Sequence, residues 1–210
     1  MVQNLYKLMK QHKILNTRLF KFMKNLKLIA LLFCFFGILT YSNVMAIEEA
    51  NYEIIKKNDI YEIRKYSDRL AIETMTSGID SNFRKLFNYI SGRNDTQEKI
   101  KMTTPVTQVE KNGNMSMQFY LPSKFNSENV PNPSREDVRI INIEGGYYAV
   151  LRYSGRASDN NFLKHKQILE KELKKNNISI ISLPIRATYD SPFTLPMNRR
   201  NEAMFKVEIN

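Results

Sequence analysis

Ser81-Asn-Phe-Arg-Lys-Leu-Phe-Asn-Tyr-Ile-Ser91 is the stretch on which the fold turns. Phe83, Leu86, Phe87 and Ile90 recur at i, i+3, i+4 and i+7, which places them on one face of an amphipathic helix over 81–91. Asp80 or Ser81 supplies its N-cap and Gly92 its stop. On its N-terminal side, Tyr52 to Lys57 and Ile60 to Tyr66 alternate in polarity around an Asn58-Asp59 turn, and Leu70 to Met75 is a further β-rich stretch ending near Gly78. On its C-terminal side, Ile100 to Val109 and Met115 to Leu121 read as strands, and Pro105 pushes the first toward a sheet edge.

The same order then recurs. Pro122 to Asp137, with three prolines among Ser, Asn and charged residues, forms a surface connection. Beyond it, Val138 to Ile143, a Gly145-Gly146 turn and Tyr147 to Tyr153 give two strands ending at Gly155. Asp159 caps a helix whose apolar stripe is Phe162, Leu169 and Leu173, and Ile185 to Tyr189 and Ala203 to Ile209 close as strands. Two units of strand, strand, glycine, helix, strand, strand predict an α+β fold: a pseudo-twofold, distorted antiparallel β-barrel or sheet flanked by two α-helices. Each half alone would expose an apolar sheet face, so 47–210 is expected to be one cooperative domain with a cleft between helix and sheet.

The net charge of +11 suggests nucleic acid until its distribution is read. Seven of the 32 basic residues precede residue 28, and the first acid is Glu48. From Ile47 onward 25 basic residues face 21 acidic ones, so the domain carries only +4 and no nucleic-acid partner is expected. Residues 1–46 read instead as an N-terminal address. Lys24 and Lys27, the apolar helix-forming run 28–39 and Val44-Met45-Ala46 form one ordered secretory signal, cut after Ala46. Uncleaved, residues 28–46 would anchor the chain to a membrane. The domain is expected to be exported, periplasmic or extracellular, or held at the membrane by that segment. Cys34, the only cysteine, falls within this run, so the domain has no disulfide, thiol nucleophile or cysteine-held metal.

Three stretches carry a family resemblance: Tyr61-Glu-Ile-Arg-Lys-Tyr66; Tyr89-Ile-Ser-Gly-Arg-Asn94 with Lys99-Ile-Lys-Met-Thr-Thr-Pro-Val-Thr107; and Tyr189-Asp-Ser-Pro192 with Arg199-Arg-Asn-Glu202. From about Tyr52 to the C-terminus the chain resembles the SOUL haem-binding protein family. The resemblance implies a distorted antiparallel barrel with two flanking helices, and haem or another tetrapyrrole as ligand. The histidine proposed as axial ligand in one branch falls at Lys65, and the basic positions of another fall at Asp80, Asn88 and Thr194. The apolar part of the site carries over as Phe83, Phe87 and Phe193, with Arg84 placed to reach a ligand carboxylate.

No metal site is expected. His165, the only histidine after the leader, lies at the border of the second helix's apolar stripe and reads as a packed helix-edge residue before it reads as an axial ligand. Glu48-Glu49 reads as a solvated pair, and the Arg199 to Glu202 motif as a tie between a loop and the sheet. Sequons start at Asn94, Asn114 and Asn177. A phosphate loop, nucleophile elbow, metal triad or paired acids are not legible, so the chain is not expected to be an enzyme. The expected function is binding of haem, a tetrapyrrole or a similar flat amphiphile with weak or no axial ligation. The alternatives are a module for other apolar or cationic small molecules, since the scaffold also resembles the effector-binding domains of multidrug-responsive regulators, and an envelope protein-interaction domain with no ligand. No helix-turn-helix segment accompanies it, which counts against a regulator.

Overall fold

In chain order the domain runs β1 (Glu48–Glu49), β2 (Tyr52–Lys57), β3 (Glu62–Tyr66), β4 (Arg69–Thr76), α1 (Ile79–Ile90), β5 (Thr103–Thr104), β6 (Val106–Lys111), β7 (Asn114–Tyr120), β8 (Arg139–Ile143), β9 (Gly146–Tyr153), α2 (Asp159–Lys175), β10 (Ser179–Ile180), β11 (Ile185–Thr188) and β12 (Asn201–Glu208). This computed structural model describes residues 47–209 apart from 77, 78 and 112, without the side chains of 76, 79 and 80. The expected leader, with its apolar run 28–39 and the cut after Ala46, lies outside the described residues. Among the described residues no helix is long and apolar enough to cross a membrane.

The predicted duplication is present, with an exchange that sequence order hides. The curled antiparallel sheet has the strand order β2-β3-β9-β12-β11-β6-β7-β4-β8, with β10 attached to β12. The repeats are β3-β4-α1-β6-β7 and β8-β9-α2-β11-β12, and they abut where β6 pairs with β11. Each repeat lends its first strand to the other: β3 pairs with β9, and β8 pairs with β4. Neither repeat is therefore a closed unit.

Both helices lie on one face of the sheet, each over its own core. Beneath α2, Phe162, Leu169 and Leu173 pack with Ile63, Leu151 and Phe205. Beneath α1, Leu86, Tyr89 and Ile90 pack with Ile72, Met117 and Phe119. The opposite, helix-free face holds a smaller cluster of Tyr66, Tyr148, Val150, Ala187 and Met204. All three clusters lie within 47–209, so the domain carries its own core.

Several local expectations are corrected. The N-cap of α2 is Ser158, whose Oγ accepts from the Asn161 N–H at 3.4 Å, and Asp159 is the first helical residue. Asp80 and Ser81 fall inside the first turn of α1, which begins at Ile79. Pro105 does not place its strand at an edge: it stands in the break between β5 and β6, so its missing N–H leaves no gap in the ladder, and β6 lies mid-sheet between β11 and β7. Gly92 ends α1 at φ +105°, a conformation that disfavours a side chain.

The buried face of α1 is also rotated from the expected stripe. It runs through Asn82, Leu86, Tyr89 and Ile90, while Phe83 and Phe87 stay 40% and 47% exposed. Polar contacts hold this rotation: Asn82 Nδ2 donates to the Met115 carbonyl at 2.9 Å, the Tyr89 hydroxyl to the Pro131 carbonyl at 2.7 Å, and Lys85 pairs with Asp137.

Candidate functional site

One row of residues crosses the helix-bearing face and locates the site. Ile140, Ile72, Phe119, Val106, Thr188, Asn201 and Tyr153 are successive cross-strand partners from β8 to β9. Ile72 and Phe119 lie beneath α1, Tyr153 beneath α2. Between them β6 and β11 form a strip with Val106 opposite Thr188 and Gln108 opposite Arg186. From Phe119 to Asn201 the row spans three strand spacings, roughly 14 Å.

The walls of this strip follow from helix geometry. Lys85 pairs with Asp137 at 2.9 Å, just before the outermost strand β8, so that flank of α1 faces away from the sheet centre. Phe83 and Phe87 lie on the opposite flank. Their rings stack at 6.1 Å, and Phe83 meets Phe119 edge-on at 5.2 Å. On α2, Asp159 and Phe162 approach Arg186 of β11, so this flank and the 45% exposed Leu163 beside it face the strip. The floor carries one cation: Arg186, 7% exposed, bonds Asp159 Oδ1 at 2.7 Å and lies 4.7 Å over the Phe162 ring.

A loop borders the strip where β11 ends. The Gly155 N–H donates to the Pro196 carbonyl at 2.8 Å, and Asn201 Nδ2 to the Gly155 carbonyl at 3.1 Å, which tie the loop to the entry of α2. A Cβ on Gly155 would come within 2.8 Å of Asn161 Nδ2, so this position suits glycine. Arg199 braces the loop from within by donating to the Thr194 and Pro192 carbonyls. Its apolar side chains Phe193, Leu195 and Met197 are 95%, 61% and 69% exposed.

Of the residues singled out from sequence, Phe83 and Phe87 are brought together on the strip's wall. Arg84 is exposed beside them, and Phe193 projects from the loop without a ring contact to the pair. His165 occupies the other flank of α2. Its ring stacks on Tyr153 at 4.1 Å and 6°, with Nδ1 2.7 Å from the Asn161 carbonyl. Burial pushes the Tyr153 hydroxyl up to about 12, so the ring that His165 covers is neutral at physiological pH. Lys65 is exposed, with its ammonium 6.0 Å over the Tyr147 ring. Arg186, Leu163, Leu195 and Met197 were not singled out, because a lone arginine in a strand and single apolar residues in a loop have no periodicity to mark them.

The fit to a tetrapyrrole can be tested on these residues. Faces of a flat ligand would meet Phe83, Phe87 and Leu163, and its carboxylates would meet Arg186 or Arg84. Neither His165 nor Lys65 faces the strip. The residues fit a planar amphiphile held by apolar contact and charge.

The helix-free face is organised differently. Glu202, fully buried, accepts from Arg64 Nη1 at 3.1 Å, from Arg200 Nε at 3.0 Å and from the Tyr189 hydroxyl at 2.7 Å. Burial, and next the Glu202 charge, raise the Tyr189 hydroxyl well above its ordinary value, so it stays a donor. Arg200 also clamps Glu49 through two bonds of 2.9 and 2.8 Å. Glu48 accepts from the Ser123 N–H at 2.7 Å. Glu48-Glu49 is thus strand β1, paired with β5, and not a free solvated pair. The Arg199 to Glu202 motif ties loop to sheet as expected.

The sequons divide by burial. Asn94 is 4% exposed and donates to the Tyr89 and Glu98 carbonyls at 3.1 and 2.8 Å, so its amide is committed to the fold. Asn114 and Asn177 are exposed.

Residues 47–206 match the sequence model of the family described as SOUL heme-binding protein. The chain is 31% identical over 159 residues to mouse (Mus musculus) Heme-binding protein 2, covering 68% of this chain and 75% of the relative. Among solved structures, the EcmrR C-terminal domain shares the fold at a TM-score of 0.54 and 13% identity, over 75% of this chain and 98% of that one. A structure described as a hydrolase from Listeria innocua shares it at 0.52 and 10%, over 73% and 94%. At these identities the last two speak to the fold alone.

Proposed function

Because this chain belongs to the SOUL haem-binding family, we propose that its domain binds haem or a closely similar flat tetrapyrrole in the strip between α1 and α2, without a histidine ligand to iron. The observation that carries this reading is the stacked, half-exposed pair Phe83 and Phe87 facing a strip whose floor holds the buried Arg186. Two aromatic rings left nearly half exposed on a flank cost solvation unless something covers them. A planar macrocycle is the right shape for that cover.

The protein's part is binding and orientation. Phe83, Phe87 and Leu163 exclude water from the ligand's faces, and Arg186 offers a guanidinium already aligned by Asp159. Bound haem would supply its own redox and ligand chemistry. The role inferred is binding and not catalysis. Titrating haem into the domain from Ile47 onward tests it: a Soret shift saturating near one equivalent is expected, and a linear, unsaturable change would overturn the reading.

Export belongs to the same proposal, supported by Lys24, Lys27, the run 28–39 and Val44-Met45-Ala46. Residues 1–50 fused to a reporter active only outside the cytoplasm should give activity, and an expressed but silent fusion would end the idea. Mass spectrometry separates cleavage, with Ile47 as the new N-terminus, from anchoring by residues 28–46.

A further inference from the structure

At the end of the sheet where β4 begins and β7 finishes, away from the strip between the helices, lies a cavity of about 480 Å³ lined by residues of both faces. Its walls are the strap around β1, the β3–β4 turn, β5 and the end of β7. That volume is within the usual range for a small-molecule site. One wall residue stands out for what it lacks. Arg69 has its guanidinium carbon 4.5 Å over the Tyr66 ring and 4.2 Å over the Tyr120 ring, clamped between two aromatics. Its Nε is buried with no hydrogen-bond partner, and among the described residues no carboxylate pairs with it.

The neighbouring acids are all engaged elsewhere. Glu49 is clamped by Arg200, Glu48 accepts from the Ser123 N–H, and Asp68 accepts from the Gly145 N–H at 2.7 Å and from Asn142 at 3.2 Å. Arg69 is half-buried, and a partly desolvated guanidinium without a counter-charge gains from an anion that reaches its open side. Here the fold holds it rigidly at a cavity wall and leaves it free.

We propose that this cavity is a second binding site, for a small organic monocarboxylate whose apolar tail lies against Leu70, Leu121 and Phe125 and whose carboxylate is held by Arg69. With Nε buried, the two terminal nitrogens of the guanidinium can match a carboxylate in two parallel hydrogen bonds, and stacking between Tyr66 and Tyr120 fixes their plane beforehand. Glu48, Glu49 and Asp68 restrict the charge: their field disfavours a multiply charged anion, so inorganic phosphate is a poor ligand although it too matches arginine. The site is independent of the tetrapyrrole reading, because none of its lining residues belongs to the strip.

Calorimetric titration of the domain with octanoate, with octanol as a neutral analogue of equal tail length and with inorganic phosphate, tests this. Octanoate should bind near one equivalent, octanol roughly tenfold or more weakly, and phosphate without measurable heat. Arg69→Met should reduce octanoate binding to the octanol level, while Phe87→Leu should leave it unchanged. Absent octanoate binding, equal binding of octanoate and octanol, or preferred binding of phosphate overturns the proposal. So does octanoate binding that survives Arg69→Met or is lost with Phe87→Leu. If Arg69→Met fails to fold, the comparison of ligands on the unmodified domain still decides.

Discussion

Arg64 and Glu202, 138 residues apart in sequence, meet as a buried ion pair at 3.1 Å on the helix-free face. Arg64 belongs to the borrowed strand β3 and Glu202 to β12 of the second repeat, so the pair bridges the exchange between the halves. Tyr189 and Arg200 add their donors to the same carboxylate. Replacing Glu202 by Gln keeps the shape but leaves the buried Arg64 with Glu62 and the half-buried Arg200 with Glu49 as their remaining counter-charges, and should cost about 3 kcal/mol in urea unfolding. A loss below about 1 kcal/mol would show that the network only decorates the sheet.

Strand exchange makes the halves interdependent. Residues 47–122 alone would keep β3 without its partner β9, β4 without β8 and β6 without β11, opening three ladders at once. This fragment should be unfolded or self-associating at concentrations where the whole domain is folded. An independently melting, monomeric fragment would refute the shared core.

Glu73 gives the domain an acid-sensitive term. Burial by itself would raise its carboxyl, but hydrogen bonds from Ser116 at 2.5 Å and Gln118 at 3.1 Å, together with Lys111, outweigh it and hold the group below its ordinary 4.5. A depressed folded-state value means stability that is complete above 4.5 and is lost as pH falls through the lower, folded value. Glu73→Gln should therefore destabilise at pH 7 by about 1–3 kcal/mol, and the gap to the parent should narrow on acidification below about pH 4. A gap independent of pH would exclude the ionised carboxylate as its source.

In the strip, Phe87→Leu removes ring area while preserving apolarity, and at 47% exposure it should leave the melting temperature nearly unchanged. Haem affinity should fall several-fold, by loss of one wall of the slot. His165→Ala should leave the visible spectrum of the complex as it was, since His165 stacks on Tyr153 on the far flank of α2. Should His165→Ala abolish the Soret band in a folded protein, iron coordination from α2 replaces the proposed mode.

The floor cation offers a separate handle. Arg186→Gln should weaken binding of haem roughly tenfold while affecting a haem ester, which lacks carboxylate charge, far less. Equal losses for both would mean that Arg186 serves α2 through Asp159 and not the ligand.

Local pattern determined the two repeats and their helices, because period and turn chemistry are properties of neighbouring residues. The motifs likewise sufficed to indicate the family. Sequence also put Phe83 and Phe87 on one helix face, but which way that face turned was decided by distant groups: Asn82 reaching Met115, Tyr89 reaching Pro131 and Lys85 reaching Asp137 rotated α1 and left the two rings over the strip. The exchange of β3 and β8 was decided only in three dimensions, since pairing across a sheet leaves no periodicity in either strand. Arg186 and Arg69 read as ordinary strand residues. Whether a guanidinium ends in a salt bridge, as Arg186 does with Asp159, or unpaired between two tyrosines, as Arg69 does, depends on which strands the fold lays beside it.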